Sequence, residues 1–295
     1  MELSQLTIFL AVAEERSFSR AAQKLMRTQP AISLAVQRLE AELGETLVDR
    51  SLKDGTLTEA GKVVFEFARK FENVRRGLNN ALTELRDLHT GRLTIGANES
   101  GALYLLTHIF HFRQLYPGVK VEVRRSLSSR IPSDVLDASI ELGVVSYEPA
   151  DRNLHSQVIY TDSLCFVVFP GHPLSGRTET HIKELGAETF IAHNVLSPYR
   201  QTVIRAFQKH HIPLNMNLEM PTLETIKQAV AHRMGVAFLP RMTVQAELES
   251  GILVEVPVKE LKVERKIRLV HPSRRQLSHA ARAFLEVVKQ GSAVK

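Results

Sequence analysis

Apolar residues recur at helical spacing from the first turns of the chain. In LSQLTIFLAVAEER, Leu6, Phe9, Leu10 and Ala13 fall at i, i+3, i+4 and i+7, which predicts an amphipathic helix. Ser17-Phe18-Ser19 then offers a cap, with Phe18 as a hydrophobic staple, ahead of a short helix in RAAQKL. Ala21 and Ala22 in that helix are small enough to let a neighbouring helix come close. In TQPAISLAVQRLE (28–40), Ile32, Val36, Leu39 and, one turn on, Leu43 form a core-facing stripe. Thr28 is the expected N-cap, its hydroxyl taking an N–H of the first turn, and Pro30 fits a turn that needs no internal donor. The opposite face carries Gln29, Ser33, Leu34, Gln37 and Arg38, where a solvated helix would show Glu and Lys. Two helices joined by a tight connection, the second with an uncommitted polar face, form a helix-turn-helix arrangement, which lays its second helix in a major groove.

The pattern then shortens. In LVDRSLKDGTLTEAG, Asp54-Gly55 between short runs of β-formers predicts a two-residue hairpin, because a type I′ turn needs positive φ at both central positions. A hairpin after a recognition helix is a wing, and Arg50 and Lys53 flank its tip, within reach of phosphates or a minor groove. Thr58-Glu59 opens a helix expected to run to about Leu88. Phe71, Val74, Leu78, Leu82 and Leu85 follow a 3-4 spacing close to a heptad seam. One apolar seam with charged flanks predicts pairing with a second copy, giving a dimer with two DNA-reading heads. Residues 89–92 (HTGR) form the expected hinge, with Gly91 as the stop.

From residue 93 strand and helix patterns alternate. LTIGA, VKVEVRRS, IELGVVS, LCFVVF, TFIAHN, NLEM, GVAFLP and KIRLVHP read as strands. Helices are expected between them, one of them around Ser133–Ala138, and SHAARAFLEVVKQ closes the chain as a helix. This grammar predicts two α/β lobes on mostly parallel sheets, about 93–162 with 267–295 and about 163–266. A cleft between the lobes would lie at the carboxyl ends of strands, where open α/β sheets bind ligands.

Composition changes this picture little. Net charge is +6 over 295 residues, but residues 1–58 hold seven Lys/Arg against eight Asp/Glu, so net basicity does not single out the N-terminal head. Placement of cations, not their sum, has to carry DNA contact. Cys165, the single cysteine, excludes an intrachain disulfide and sits in an apolar run as an expected buried thiol. The start MELSQLTIFL lacks the basic and long apolar regions of a signal peptide, and no stretch reaches the roughly 20 apolar residues that span a bilayer. The expected setting is cytoplasmic, away from membrane. His108 and His111 sit three apart among Leu, Ile and Phe, which favours packing over metal binding. No Gly-rich phosphate loop, G-x-S-x-G elbow or H-E-x-x-H motif supports catalysis, so no catalytic residues, metal site or cofactor are expected.

The stretches LTIFLAVAEERSFSRAAQKL, TQPAISLAVQRLEAELGETLVDR and LTEAG resemble the winged helix-turn-helix of LysR-type transcriptional regulators. The resemblance continues through the linker helix, the G-x-L-x-I-G opening at Gly91–Gly96 and ETIKQAVAHRMGVAFLP at 224–240. It implies a winged helix-turn-helix domain (1–58), a linker and dimerisation helix (59–88), a hinge (89–92) and an effector domain (93–295) similar to periplasmic solute-binding proteins. It further implies binding to interrupted dyads in double-stranded promoter DNA, a small-molecule effector in the interlobe cleft, tetramers built as dimers of dimers, and RNA polymerase as a partner. A small-solute-binding protein without a regulatory role is the alternative reading of the C-terminal half.

On that resemblance Arg27, Thr28, Gln29, Pro30, Ser33 and Gln37 face DNA, with Arg38, Arg50 and Lys53 placed for phosphates. Leu34 stands where the family often carries a cationic or long polar residue, which predicts an A/T-leaning preference at the facing base pair. In the cleft, Asn98, Glu99 and Ser100 precede a helix whose N-terminus would suit an anion, with Glu99 either capping that helix, repelling an acid or favouring an amine or hydroxyl. Ser126, Ser128, Ser129 and Ser146 share that edge. Ser197 and Tyr199 join from the second lobe, Arg200 is the candidate for a bidentate carboxylate contact, and Thr222 caps a helix facing the cleft.

Overall fold

In the computed structural model, which describes residues 1–49, 55–86, 90–195 and 197–292, the chain divides into two compact units. The first comprises residues 1–85 with 137–139, the second 86–136 and 140 onward.

The first unit begins with α1 (Leu3–Glu15), α2 (Phe18–Lys24) and α3 (Gln29–Leu43). Ser17 caps α2 as its pattern predicts, accepting the Arg20 N–H. Phe9, Val12, Ala21, Ile32, Val36 and Leu39 are fully buried and form one core. Two expectations for α3 fail. Thr28 is the N-cap residue, but its hydroxyl makes no capping hydrogen bond. Pro30 supplies no N–H at the second helical position, so one of the two donors an N-cap oxygen uses is missing. Leu43 is exposed, because Gly44 turns the chain away in the left-handed region.

Past α3 the Glu40 carboxylate accepts the Leu47 and Val48 N–H groups, which ties the start of the wing to the helix. Val48 pairs antiparallel with Leu57, the pairing that flanks a hairpin. Arg50, Lys53 and the turn residue Asp54 lie outside the described residues. Gly61 packs so closely on this segment that a Cβ would stand 2.0 Å from the Leu47 carbonyl oxygen. The long helix α4 (Glu59–Arg86) starts from Thr58, whose hydroxyl accepts the Gly61 N–H. Val63, Phe67, Phe71, Val74, Leu78 and Leu82 lie exposed along it. The Leu85 side chain, Leu88 and the hinge residue His89 lie outside the described residues.

The second unit runs β1 (Gly91–Ala97), α5 (Glu99–Leu115), β2 (Val119–Arg125), α6 (Ile131–Leu136), β3 (Leu142–Val145) and β4 (Leu154–Val168). It continues with β5 (Thr189–His193), α7 (Pro198–Lys209), β6 (Asn215–Met220), α8 (Leu223–Ala231) and β7 (Ala237–Pro240). After α9 (Arg241–Glu249) and the two-residue β8 (Val254–Glu255), β9 (Val263–Pro272) and α10 (His279–Ser292) end it. The principal sheet has the order β2-β1-β3-β9-β4-β7, with β8 on β4, and β5 pairs with β6.

The principal sheet is mixed, not mostly parallel: β1 pairs parallel with β2 and β3, but β3 is antiparallel to β9 and β4 to β7, β8 and β9, while the small sheet of β5 and β6 is parallel. The reason is that β4 and β9 are long crossing strands. β4 begins at Leu154, ten residues before the expected LCFVVF run, and lies against β9 from Leu154 to Leu164. Helix α6 ends at Leu136 short of its expected bound, and Ala138 adopts φ 60°. Helix α9 and strand β8 were not expected from the pattern. The first lobe packs around Leu93, Ile95, Phe112 and Phe284, the second around Phe190, Phe207 and Ile226. His108 is buried beside the Tyr104 ring while His111 is exposed, so the two do not share a side. No described helix is long and apolar enough to cross a membrane.

Candidate functional site

Helix α3 separates its residues sharply. Ile32, Val36 and Leu39 are fully buried, while Gln29, Pro30, Leu34, Gln37 and Arg38 are exposed and Ser33 is half-buried. Arg27 and Thr28 are exposed just ahead of the helix. Leu34 is 47% exposed, so the described residues of this chain leave much of it open. Met26 in the connection is 93% exposed with φ 52°, an apolar side chain beside the polar face that helical periodicity could not flag because it lies between helices.

Within the second unit, a cavity of about 790 Å³ opens between the two lobes, a size suited to a small-molecule ligand. Its first-lobe wall is polar. Asn98 caps α5 by accepting the Gly101 N–H and donates to the Ser128 hydroxyl at 2.9 Å. Ser100 donates to Asn98, and Ser126 donates to Asp134. Glu99 does not cap its own helix. Its carboxylate reaches across the cleft and accepts the Leu223 N–H at 3.0 and 3.1 Å, at the N-terminus of α8, with His193 Nε2 at 3.8 Å.

Two further bonds join the lobes: the Tyr199 hydroxyl donates to the Ser146 carbonyl, and Arg125 to that of Pro221. At the cleft floor Arg265 is almost fully buried, pairs with Asp162 at 2.6 Å, donates to Ser100 and lies 4.9 Å over the Tyr199 ring. Burial pushes the Tyr199 hydroxyl above its ordinary pKa, with Arg265 opposing. Burial also pushes the His193 imidazole down, against the opposing pull of Glu99.

The LysR substrate binding domain model matches residues 86–293, and that of the bacterial regulatory helix-turn-helix protein, lysR family, matches 3–62. The chain belongs to the LysR family of transcriptional regulators. Among its relatives, the "Probable RuBisCO transcriptional regulator" of Cyanophora paradoxa is 31% identical over 97% of this chain and 90% of its own. The "RuBisCO operon transcriptional regulator" of Allochromatium vinosum is 31% identical over 98% and 95%. In fold, full-length CbnR complexed with its target DNA superposes with a TM-score of 0.77 at 19% identity, covering 98% of this chain and 99% of that one. The Synechocystis PCC6803 CcmR regulatory domain in complex with 2-PG superposes at 0.63 with 25% identity, covering 68% and 97%.

In this LysR-family regulator, ten of the eleven residues named for the cleft line one cavity: Asn98, Glu99 and Ser100, Ser126, Ser128, Ser129 and Ser146, and Ser197, Tyr199 and Arg200. Thr222 is not among the lining residues; its hydroxyl is spent on the Thr225 N–H, and its neighbour Leu223 faces the cavity instead. Arg200 does not offer a free fork. One Nη donates to the His193 carbonyl at 2.9 Å and the other to the Glu219 carboxylate, because β5 and β6 bring both acceptors beside α7. Arg265, Asp162, His193 and Arg125 escaped the sequence reading. Arg265 carried a signal: it alternates with Val263, Ile267 and Leu269, a charge on the inward face of an apolar strand. Cys165 is buried, donates to the Leu239 carbonyl, and has its thiol pKa pushed up to about 12 by burial, so it is unreactive.

Proposed function

We propose that this protein reads interrupted dyads in promoter DNA as a paired regulator and responds to a small molecule held between the lobes of its second unit. It binds and switches without chemical turnover. The division of α3 into a buried stripe and an opposite face of exposed Gln29, Leu34 and Gln37 with half-buried Ser33 carries the reading. Gln29 and Gln37 can reach base edges, Leu34 and Met26 offer apolar surface for thymine methyls, and Arg38 with the unoccupied Thr28 hydroxyl suits phosphates. Arg50 and Lys53 belong to the same interface as wing contacts. The exposed apolar seam of α4 supports pairing with a second copy, and two such pairs would give the tetramer that promoter contact with RNA polymerase uses.

DNA retardation tests it. The upstream fragment of the protein's own gene and a RuBisCO operon promoter, suggested by the relatives' names, are compared with scrambled fragments at equal salt. Gln29→Ala should erode the preference by about 1–3 kcal/mol. Arg38→Ala should weaken all fragments alike and reduce the salt slope by about 1. Equal, feeble retention of native and scrambled fragments would refute the regulator and favour a solute-binding protein.

A further inference from the structure

We propose that the interlobe cleft takes an uncharged amphipathic ligand, an aromatic or branched-aliphatic body carrying one or two hydroxyls, and selects against multiply charged anions. The proposal rests on the effector reading above and goes further by naming the class of molecule.

Helix N-termini are the natural anion seats of such a cleft, and here the chain's own oxygen atoms already sit on four of them. Asn98 holds the α5 terminus through Gly101 N–H, and Ser197 holds α7 through Arg200 N–H. Glu99 and Thr222 hold α8 through Leu223 and Thr225 N–H, and the Asp162 carboxylate holds α9 through Met242 N–H at 3.2 Å. Each terminus thus has one or two of its first-turn N–H groups already taken by the chain, which leaves fewer for an incoming phosphate or polycarboxylate.

The charges of the cations are matched as well, although among the described residues the Nε atoms of Arg200 and Arg265 are buried without a hydrogen-bond partner. Arg265 is paired with Asp162 and Arg200 with Glu219. Arg125, on the exposed rim, is equalled in number by Glu99 on the same cavity wall. A multiply charged anion would have to break a buried pair or lose its hydration without a compensating charge, and both are costly.

The second-lobe wall rewards apolar surface. Leu164, Met216, Leu223 and Phe238 line it half-buried, from strands β4, β6 and β7 and the first turn of α8. Leu127, 49% exposed, adds apolar area from the opposite lobe. Facing them, the hydroxyls of Ser128, Ser129 and Ser146 can give and take hydrogen bonds without adding charge. The hydroxyls of the first lobe and the apolar patch of the second, beside that lobe's own Ser197, Tyr199 and Arg200, fit a molecule that carries both kinds of surface.

Isothermal titration of the full chain with 1-naphthol, inorganic phosphate and citrate tests this. Saturable binding of one 1-naphthol per chain is expected, weakened about tenfold by Leu127→Asp. That position is exposed, so the fold should survive, and a melting curve checks it. Ile252→Asp, at a residue 51% exposed and outside the cavity lining, should leave the affinity unchanged, which separates cleft binding from adsorption to exposed apolar surface. Phosphate and citrate should give no more heat than chloride at equal ionic strength. Saturable phosphate or citrate binding would overturn the ligand class. So would a 1-naphthol isotherm that is absent or indifferent to Leu127→Asp. DNA retardation with the same preparation reports separately on the regulator reading, which survives either result.

Discussion

Asp162 and Arg265 stand directly opposite each other on the antiparallel strands β4 and β9, carboxylate and guanidinium 2.6 Å apart with only 2% and 4% of their side chains exposed. These two strands are the covalent passage between the lobes, and the pair sits where α5 of one lobe and α9 of the other begin. Asp162 holds the Met242 N–H of α9 and Arg265 holds Ser100 of α5. Two charges so far from water persist only because each meets the other with good geometry and has further hydrogen bonds.

Breaking this pair from one side should therefore cost more than removing it. Arg265→Met leaves a buried carboxylate without its cation and is expected to lower stability by about 3–5 kcal/mol. Adding Asp162→Leu should restore much of that loss, since an apolar pair of similar size needs no compensation. Urea denaturation of the wild type, both single variants and the double variant gives the coupling. Additive losses would show that the two groups do not act as a pair.

The seam on α4 predicts an assembly effect. Leu78 is 59% exposed, so Leu78→Asp removes no packing within the chain, yet it places a charge in the middle of the apolar row running from Val63 to Leu82. Sedimentation equilibrium should show the wild type as a dimer or larger and the variant shifted toward monomer. Retardation of dyad DNA should fall with it. An unchanged mass distribution would assign the seam another role.

Acid should loosen the second unit. Burial is the main force lowering the His193 pKa; Glu99 opposes it, while Arg125 and Arg200 reinforce it. His271 is lowered too, again chiefly by burial. With folded values below the ordinary 6.5, the unfolded chain takes up protons that the folded chain refuses. The stabilisation is thus complete above that value and is lost as pH falls toward the folded pKa. Melting temperature should drop from about pH 7 downward, and His193→Gln and His271→Gln should each flatten the decline. A slope that neither substitution alters would place the titration elsewhere.

The first unit was legible because its information is local. Residues one helical turn apart report directly on which side is buried, so Ile32, Val36 and Leu39 and the face opposite them could be read from spacing alone. The limits were local too: Pro30 removed a donor that Thr28 would have used, and Gly44 uncovered Leu43.

In the second unit the sequence by itself determined the succession of strands and helices apart from α9 and β8, and it picked out ten polar residues of the cleft, because strand ends and helix starts carry their own capping signals. Tertiary structure alone decided what those residues do. Glu99 caps a helix more than a hundred residues away, Arg200 spends its fork on β5 and β6, and Arg265 meets its carboxylate only when β9 returns beside β4. Charge matching of this kind depends on which distant segments the fold brings together, and side-chain periodicity holds no record of a partner so far along the chain.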